Sequence, residues 1–248
     1  MKRLLLILGL VGGSALAVEP PREIDPAADA ALQRMSDYLA SLRSFRVESR
    51  AVDERVTTDG QKLQFLADTR LTVARPNRLR AERLGAFGDT IIRYDGSQFS
   101  IYGKRTGYYT STPAPRTLDA AVDFVRARYG VDAPGSDLID SDVHDLLMAN
   151  TDSVRDLGLE PIDGTLCRHL AARGRDVDWQ LWIEDGARPL PRRYVVITKD
   201  QPQKPEFAVT LSHWEPNAPV DAAMFTFVPP PGAERIRWMP LGPERAAR

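Results

Sequence analysis

The 248-residue sequence contains one cysteine, Cys167, and three histidines. A single thiol cannot close an internal disulfide. The chain must therefore be held together by its core, which 43% hydrophobic residues over this length can supply in one domain. No CxxC or HExxH spacing is present, so the local patterns of structural and catalytic zinc sites are missing, as is a serine-nucleophile elbow. No block of like charge marks a disordered tail, and no internal repeat marks a solenoid. Apolar runs of membrane-spanning length are also lacking, since a span needs roughly 20 residues.

The longest apolar run, Leu4 to Val11, sits in MKRLLLILGLVGGSALA behind Lys2 and Arg3 and ahead of small residues at Ala15 and Ala17. A basic start, a short apolar stretch and an A-x-A site describe a secretory signal peptide over residues 1–17. No cysteine follows the cleavage site to accept a lipid, so the mature chain is expected free in the periplasm, or secreted. Removing Lys2 and Arg3 from 33 basic residues leaves 31 against 34 acidic ones, a net charge of −3, which argues against nucleic acid as a partner.

The pattern after the signal predicts a linker over 18–25, one domain over 26–240 and a short tail over 241–248. Asp25 and Pro26 suit the start of a helix, and Leu32, Met35, Leu39 and Leu42 recur at helical spacing before Ser44. From Phe45 the period becomes two. In KLQFLADTRLTV, positions Leu63, Phe65, Ala67, Leu71 and Val73 share a face, and TDGQ before it reads as a hairpin turn. Further strands read as RLRAERL, TIIRY, QFSIY, YYT, VRDLGLE, TLCRHLAA, DWQLWIE, RRYVVIT and FAVTLSHW, separated by turn residues. Between the two groups lies a helical insertion over 116–150. Thr117 caps a helix with Leu118, Val122, Val125 and Tyr129 on one face and Gly130 as its stop, and a second helix spans about 141–149 with Val143, Leu146 and Leu147 as its apolar side. The expected fold class is α+β: about ten antiparallel strands in a strongly curved, open, incomplete barrel, with an N-terminal helix and a helical lid over the concave apolar face.

Three stretches resemble a known family. VARPNRLRAE, then IIRYDGSQFSIY, and near the C-terminus PVDAAMFTFVPPPGAERI look like the corresponding pieces of the periplasmic lipoprotein-carrier (LolA/LolB-like) superfamily. DGTLCRHL and VDWQLWIEDGARPLPRRYVV are similar to its branch of predicted periplasmic proteins of unknown function. The resemblance implies an open barrel and lid enclosing a hydrophobic cavity for acyl chains. It also implies that Arg75, in the RPN triplet, sits at the cavity mouth and hydrogen-bonds the lid until cargo enters. Leu79, flanked by Arg78 and Arg80, stands where the carrier has a cargo-facing aromatic.

The stretch CRHLAARGRDVDWQLWI gathers the cysteine, a histidine and two tryptophans. Cys167 and His169 would share a strand face about 7 Å apart, too far for a nucleophile and its base. A zinc site would need His144 or His213, and neither has ligand spacing. No catalytic residue, metal or cofactor is therefore assigned, and Cys167 is expected to be a packed, inert thiol. Trp179 shares its face with Val177, Leu181 and Ile183 and should point inward, whereas Trp182 lies with Asp178, Gln180 and Glu184 on the outer face or an edge. Strand 192–199, apolar on both faces, is left unassigned.

By alternation, the expected cavity residues are Leu63, Phe65, Leu71, Leu79, Ile92, Phe99, Ile101, Trp179, Leu181, Val209 and Leu211, with Arg75 at the mouth. The function expected is a non-enzymatic periplasmic binding protein or carrier for a lipid or the acyl chains of a lipoprotein. Its partners would be that lipid or lipidated protein and a membrane-bound donor or acceptor, and the chain would be a monomer. The alternatives are an envelope-stress sensor on the same fold, an envelope enzyme, and a structural or interaction module whose cavity is filled by side chains.

Overall fold

The computed structural model describes residues 22–131 and 135–241, so the expected signal peptide and the last seven residues of the tail lie outside the described residues. The end of the expected linker is tied down. Glu23–Ile24 form a short strand, β1, and Arg22 donates to the carbonyls of Met148 and Thr151.

Helix α1, Pro26–Ser41, starts as its sequence dictates, with the Asp25 carboxylate accepting from the Ala27 N–H and proline in the first turn. Its stripe of Ala28, Ala31, Leu32, Met35 and Leu39 is buried. Six strands follow: β2 (Ser44–Val56), β3 (Lys62–Ala74), β4 (Arg78–Gly85), β5 (Gly88–Tyr94), β6 (Gln98–Gly103) and β7 (Tyr108–Pro113). The insertion comprises α2 (Leu118–Tyr129), a 3-10 turn (Ser136–Ile139) and α3 (Val143–Met148). Then come β8 (Thr151–Ile162), β9 (Thr165–Gly174), β10 (Val177–Glu184), β11 (Pro191–Thr198), β12 (Glu206–Pro216), a second 3-10 turn (Ala222–Phe225) and β13 (Glu234–Arg235).

All strands join one sheet in the order β1-β8-β9-β10-β11-β12-β2-β3-β4-β5-β6-β7-β13. Every pairing is antiparallel except the two at the edges, β1 on β8 and β13 on β7. The fold is α+β, a large curved sheet that does not close. It has 13 strands among the described residues where about ten were expected, because two-residue edge pairings such as β1 and β13 leave no alternation to read.

The lid begins and ends α2 at the expected residues. Thr117 Oγ1 accepts from the Ala120 N–H, and Gly130 closes the helix at φ 65°. The third helix is shorter than its pattern suggested. Leu146, expected on the apolar side, is 41% exposed, while Val143, Leu147 and Met148 are buried. The segment between the helices, expected as a loop, carries the 3-10 turn and buries Leu138 and Ile139.

Pairing register fixes which residues share the inner face. One row across the sheet reads Phe45, Val73, Leu79, Tyr94, Phe99, and the next reads Val47, Leu71, Ala81, Ile92, Ile101. These rows, with α1 and the lid, make the main hydrophobic core. A second, smaller core lies on the outer face, where Cys167, Trp182, Val195 and Ala208 pack together with Ile162 and Ile197. It explains the unassigned strand: Tyr194 and Val196 serve the inner core, and Val195 and Ile197 the outer one. Trp182 is on the outer face as expected, and there it is buried. The cause is the β8–β9 hairpin. Its register slips between Asp156 and Leu159 around Gly158, at φ 96°, and its tip residue Asp163 reaches a cleft shared with Ser212 and His213 of β12.

Candidate functional site

The inner face of the sheet and the lid over it form the candidate site. All eleven residues chosen by alternation fall on that face by register, but in three environments. Leu79, Phe99, Trp179, Leu181, Val209 and Leu211 are buried in the core, and Leu71, Ile92 and Ile101 pack against it half-buried. Leu63 and Phe65 lie beyond it, half-exposed, at the end of the β2–β3 hairpin, where Phe65 meets Phe87 at 4.6 Å between ring centroids.

The concave face is filled. Leu32, Met35 and Leu39 of α1, Leu118 and Val125 of α2, and Val143 and Leu147 of α3 occupy it, together with Leu138 and Ile139 of the turn. Those two residues form a plug on a short segment. At its start Gly135 has φ +84°, and a Cβ there would already touch Phe207 and Val209, so the backbone lies directly on the sheet. A cleft of about 260 Å³ remains at this edge, its lining including Arg55, Arg126, Asp137, Val196 and Phe207.

Arg75 holds the plug. Its Nη2 donates to the carbonyls of Ile139 at 3.2 Å and Asp140 at 2.9 Å, while its buried Nε has no partner among the described residues. Burial pulls the guanidinium below its ordinary pKa, opposed by the charges of Asp119 and Asp140. Other ties converge on the same segment. Tyr194 on β11 donates to Asp137 at 3.4 Å, Arg126 donates to Ser136 Oγ at 2.6 Å, and Ser141 Oγ donates to Asp119 at 2.6 Å. Burial raises the carboxyls of both Asp137 and Asp140, and pushes the Tyr194 hydroxyl well above its usual range. On α3, His144 Nε2 lies 2.9 Å from Asp29 of α1 and Nδ1 lies 3.1 Å from Asp145. Burial works against a charged ring there, but the two carboxylates outweigh it and raise the imidazole. Trp179, expected to point inward, donates through Nε1 to Thr151 Oγ1 at 3.1 Å, and that hydroxyl donates to the Leu147 carbonyl at 2.7 Å.

Cys167 is 0% exposed, with its thiol directed at the Thr165 carbonyl, and burial raises its pKa, away from thiolate chemistry. His169 is engaged by Glu160 at 2.9 Å and Gln180 at 3.0 Å and stacks on Trp182 at 4.0 Å. One cluster of metal-ligand type, Asp142, His144 and Asp145, occurs among the described residues. Its histidine is already shared with Asp29, and Asp142 is spent capping α3. Sequence reasoning missed the plug residues Leu138 and Ile139, since a four-residue turn has no periodicity to find. It also missed Arg83, which register places on the inner face of β4.

Fold and site together describe an open, curved sheet whose concave apolar face is covered by helices and the Ser136–Ile139 turn. The family model of predicted periplasmic proteins known as DUF2092 matches residues 28–239, and the chain belongs to that family and to the periplasm. No helix among the described residues is long and apolar enough to cross a membrane. No curated protein matches the chain. Among solved structures it is similar to an uncharacterized conserved protein from Thermus thermophilus, at 14% identity and TM-score 0.49, covering 85% of this chain and 99% of that one. It is also similar to the Mycobacterium tuberculosis lipoprotein LppX, at 15% identity and TM-score 0.45, covering 80% and 99%. A LolA superfamily protein from Nitrosomonas europaea shares 11% identity at TM-score 0.37, covering 81% and 97%.

Proposed function

We propose that this protein is a periplasmic binding protein or carrier for a lipid, or for the acyl chains of a lipoprotein, and that cargo enters by displacing the Ser136–Ile139 turn. The observation that supports the reading is the plug itself. Leu138 and Ile139 are buried on an apolar face by a segment with little secondary structure of its own, and Arg75 fastens the two carbonyls at its end.

Magnitudes set which cargo could do this. Exposing two buried aliphatic side chains costs roughly 3 to 6 kcal/mol, and releasing two charged hydrogen bonds roughly another 3 to 6. An acyl chain gains about 0.8 kcal/mol per buried CH₂, so a chain of about sixteen carbons gains roughly 12 kcal/mol and one of about eight roughly 6. The long chain covers the whole of that cost, roughly 6 to 12 kcal/mol, and the short one only its lower end. No step of this reading needs catalysis.

Native mass spectrometry of the protein purified from its own periplasm, with extraction of any bound lipid, tests the proposal. A repeatable acyl-containing adduct is the expected result. Its absence, together with no uptake of added long-chain fatty acid or phospholipid, would show the concave face to be an ordinary filled core.

A further inference from the structure

The third row of the inner face departs from its neighbours. From β12 to β5 it reads Leu211, Ser49, Thr69, Arg83, Thr90, so an arginine stands between two threonines, on the face that carries the core. Neighbouring strands lie about 4.8 Å apart, which makes both threonines the cross-strand neighbours of Arg83. The rows on either side hold Leu71, Ala81 and Ile92, and Ala67, Gly85 and Gly88, with no carboxylate among them. Arg83 is half-buried and forms no ion pair among the described residues, whereas Arg50, Arg70 and Arg80, on the opposite face of the same strands, each pair with a carboxylate. A cation left unpaired on an apolar face is costly unless something supplies the counter-charge.

We propose that Arg83, with Thr69 and Thr90, is the subsite for the oxyanion of an acyl ligand, a carboxylate or a phosphate, whose chain runs from there along the apolar rows. The assignment rests on the acyl-binding reading above and adds the polar end of the cargo to it. A guanidinium offers a planar fork of donors suited to either oxyanion, and the flanking hydroxyls complete it. Neutral lipids with the same chain lack the group this row would recognise.

The test is competition against a fluorescent fatty acid on the full mature chain. Palmitate, methyl palmitate and palmitoyl lysophosphatidylglycerol are compared on the wild type, Arg83→Gln and Arg83→Lys, with circular dichroism as the check on folding. The wild type should prefer the anionic ligands over the ester by about tenfold to a hundredfold. Arg83→Gln should abolish that preference without weakening the ester, and Arg83→Lys should keep part of it. Loss confined to palmitate identifies a carboxylate head, and loss confined to the lysolipid a phosphate head. Equal binding of acid and ester by the wild type, or an unchanged ratio in Arg83→Gln, overturns the subsite and leaves acyl binding standing. Failure of the wild type to bind any of the three overturns both. Should Arg83→Gln fail to fold, the wild-type ratio and Arg83→Lys still decide the matter.

Discussion

Strands β2 and β3 present two different surfaces on one face. At one end Phe45, Val47 and Val73 are sealed beneath α1 and the lid, and at the other Leu63 and Phe65 are half-exposed beside Arg55 and Phe87. The alternation is the same throughout, so the difference arises from what lies on top. The covered end behaves as core and sets stability. Between the ends, the face passes through a row containing Ser49, Thr69 and Arg83, then Ala51 and Ala67, where large side chains give way to small and polar ones. Under the proposed acyl binding, that transition is where the head of the ligand would sit.

The contrast breaks first under charge insertion. Phe99→Glu places a carboxylate between Tyr94 and Trp238 in the core and should cost about 4 kcal/mol or more in thermal or denaturant unfolding. Phe65→Glu at the open end should cost less than about 1 kcal/mol while weakening fatty-acid binding. Equal destabilisation by the two would mean that the ends do not differ.

Much of this surface was legible in the sequence, because period-two alternation depends only on strand geometry and placed all eleven chosen positions on one face. Depth was not legible, since it depends on how far the lid reaches. The same limit hid the outer core around Cys167 and Trp182. A slip at Gly158 folds the β8–β9 hairpin over that face, and a local register shift has no signature in the residues it ends up covering. Arg75 was identified by the family resemblance rather than by pattern, and its bonds to Ile139 and Asp140 are what that resemblance implied for a residue facing the lid.

A smaller effect is expected from Arg75→Leu. Removing both bonds to the plug should accelerate amide exchange across 136–149 by about tenfold or more while leaving the β2–β3 amides unchanged. Unchanged exchange in the lid would reduce Arg75 to a bystander.

Acidity should sharpen the contrast further. The carboxyls of Asp137 and Asp140 are raised by burial in the closed lid and would return to ordinary values once exposed, so the closed state binds their protons more tightly. Protonation therefore favours closure, and the advantage is lost as pH rises through their raised values. His144, raised by Asp29 and Asp145, contributes closure while protonated and loses it as pH climbs through and above the usual imidazole range. Both effects have the same sign. Lid exchange, corrected for intrinsic rates, should be slowest near pH 5 and faster near pH 8, and a flat profile would show that these groups do not sense the lid. The mildest change is Cys167→Ser, which should cost about 1 kcal/mol and leave ligand binding intact, as expected for a buried thiol on the outer face.

The central claim is that an acyl chain takes the place of Leu138 and Ile139 on the concave face. Hydrogen exchange of the 136–140 amides, followed while the mature protein is titrated with palmitate, tests it most directly. Exchange in that segment should rise with occupancy and saturate with it, as the main-sheet amides stay protected. Palmitate that binds while the 136–140 amides remain as protected as in the free protein would contradict the account.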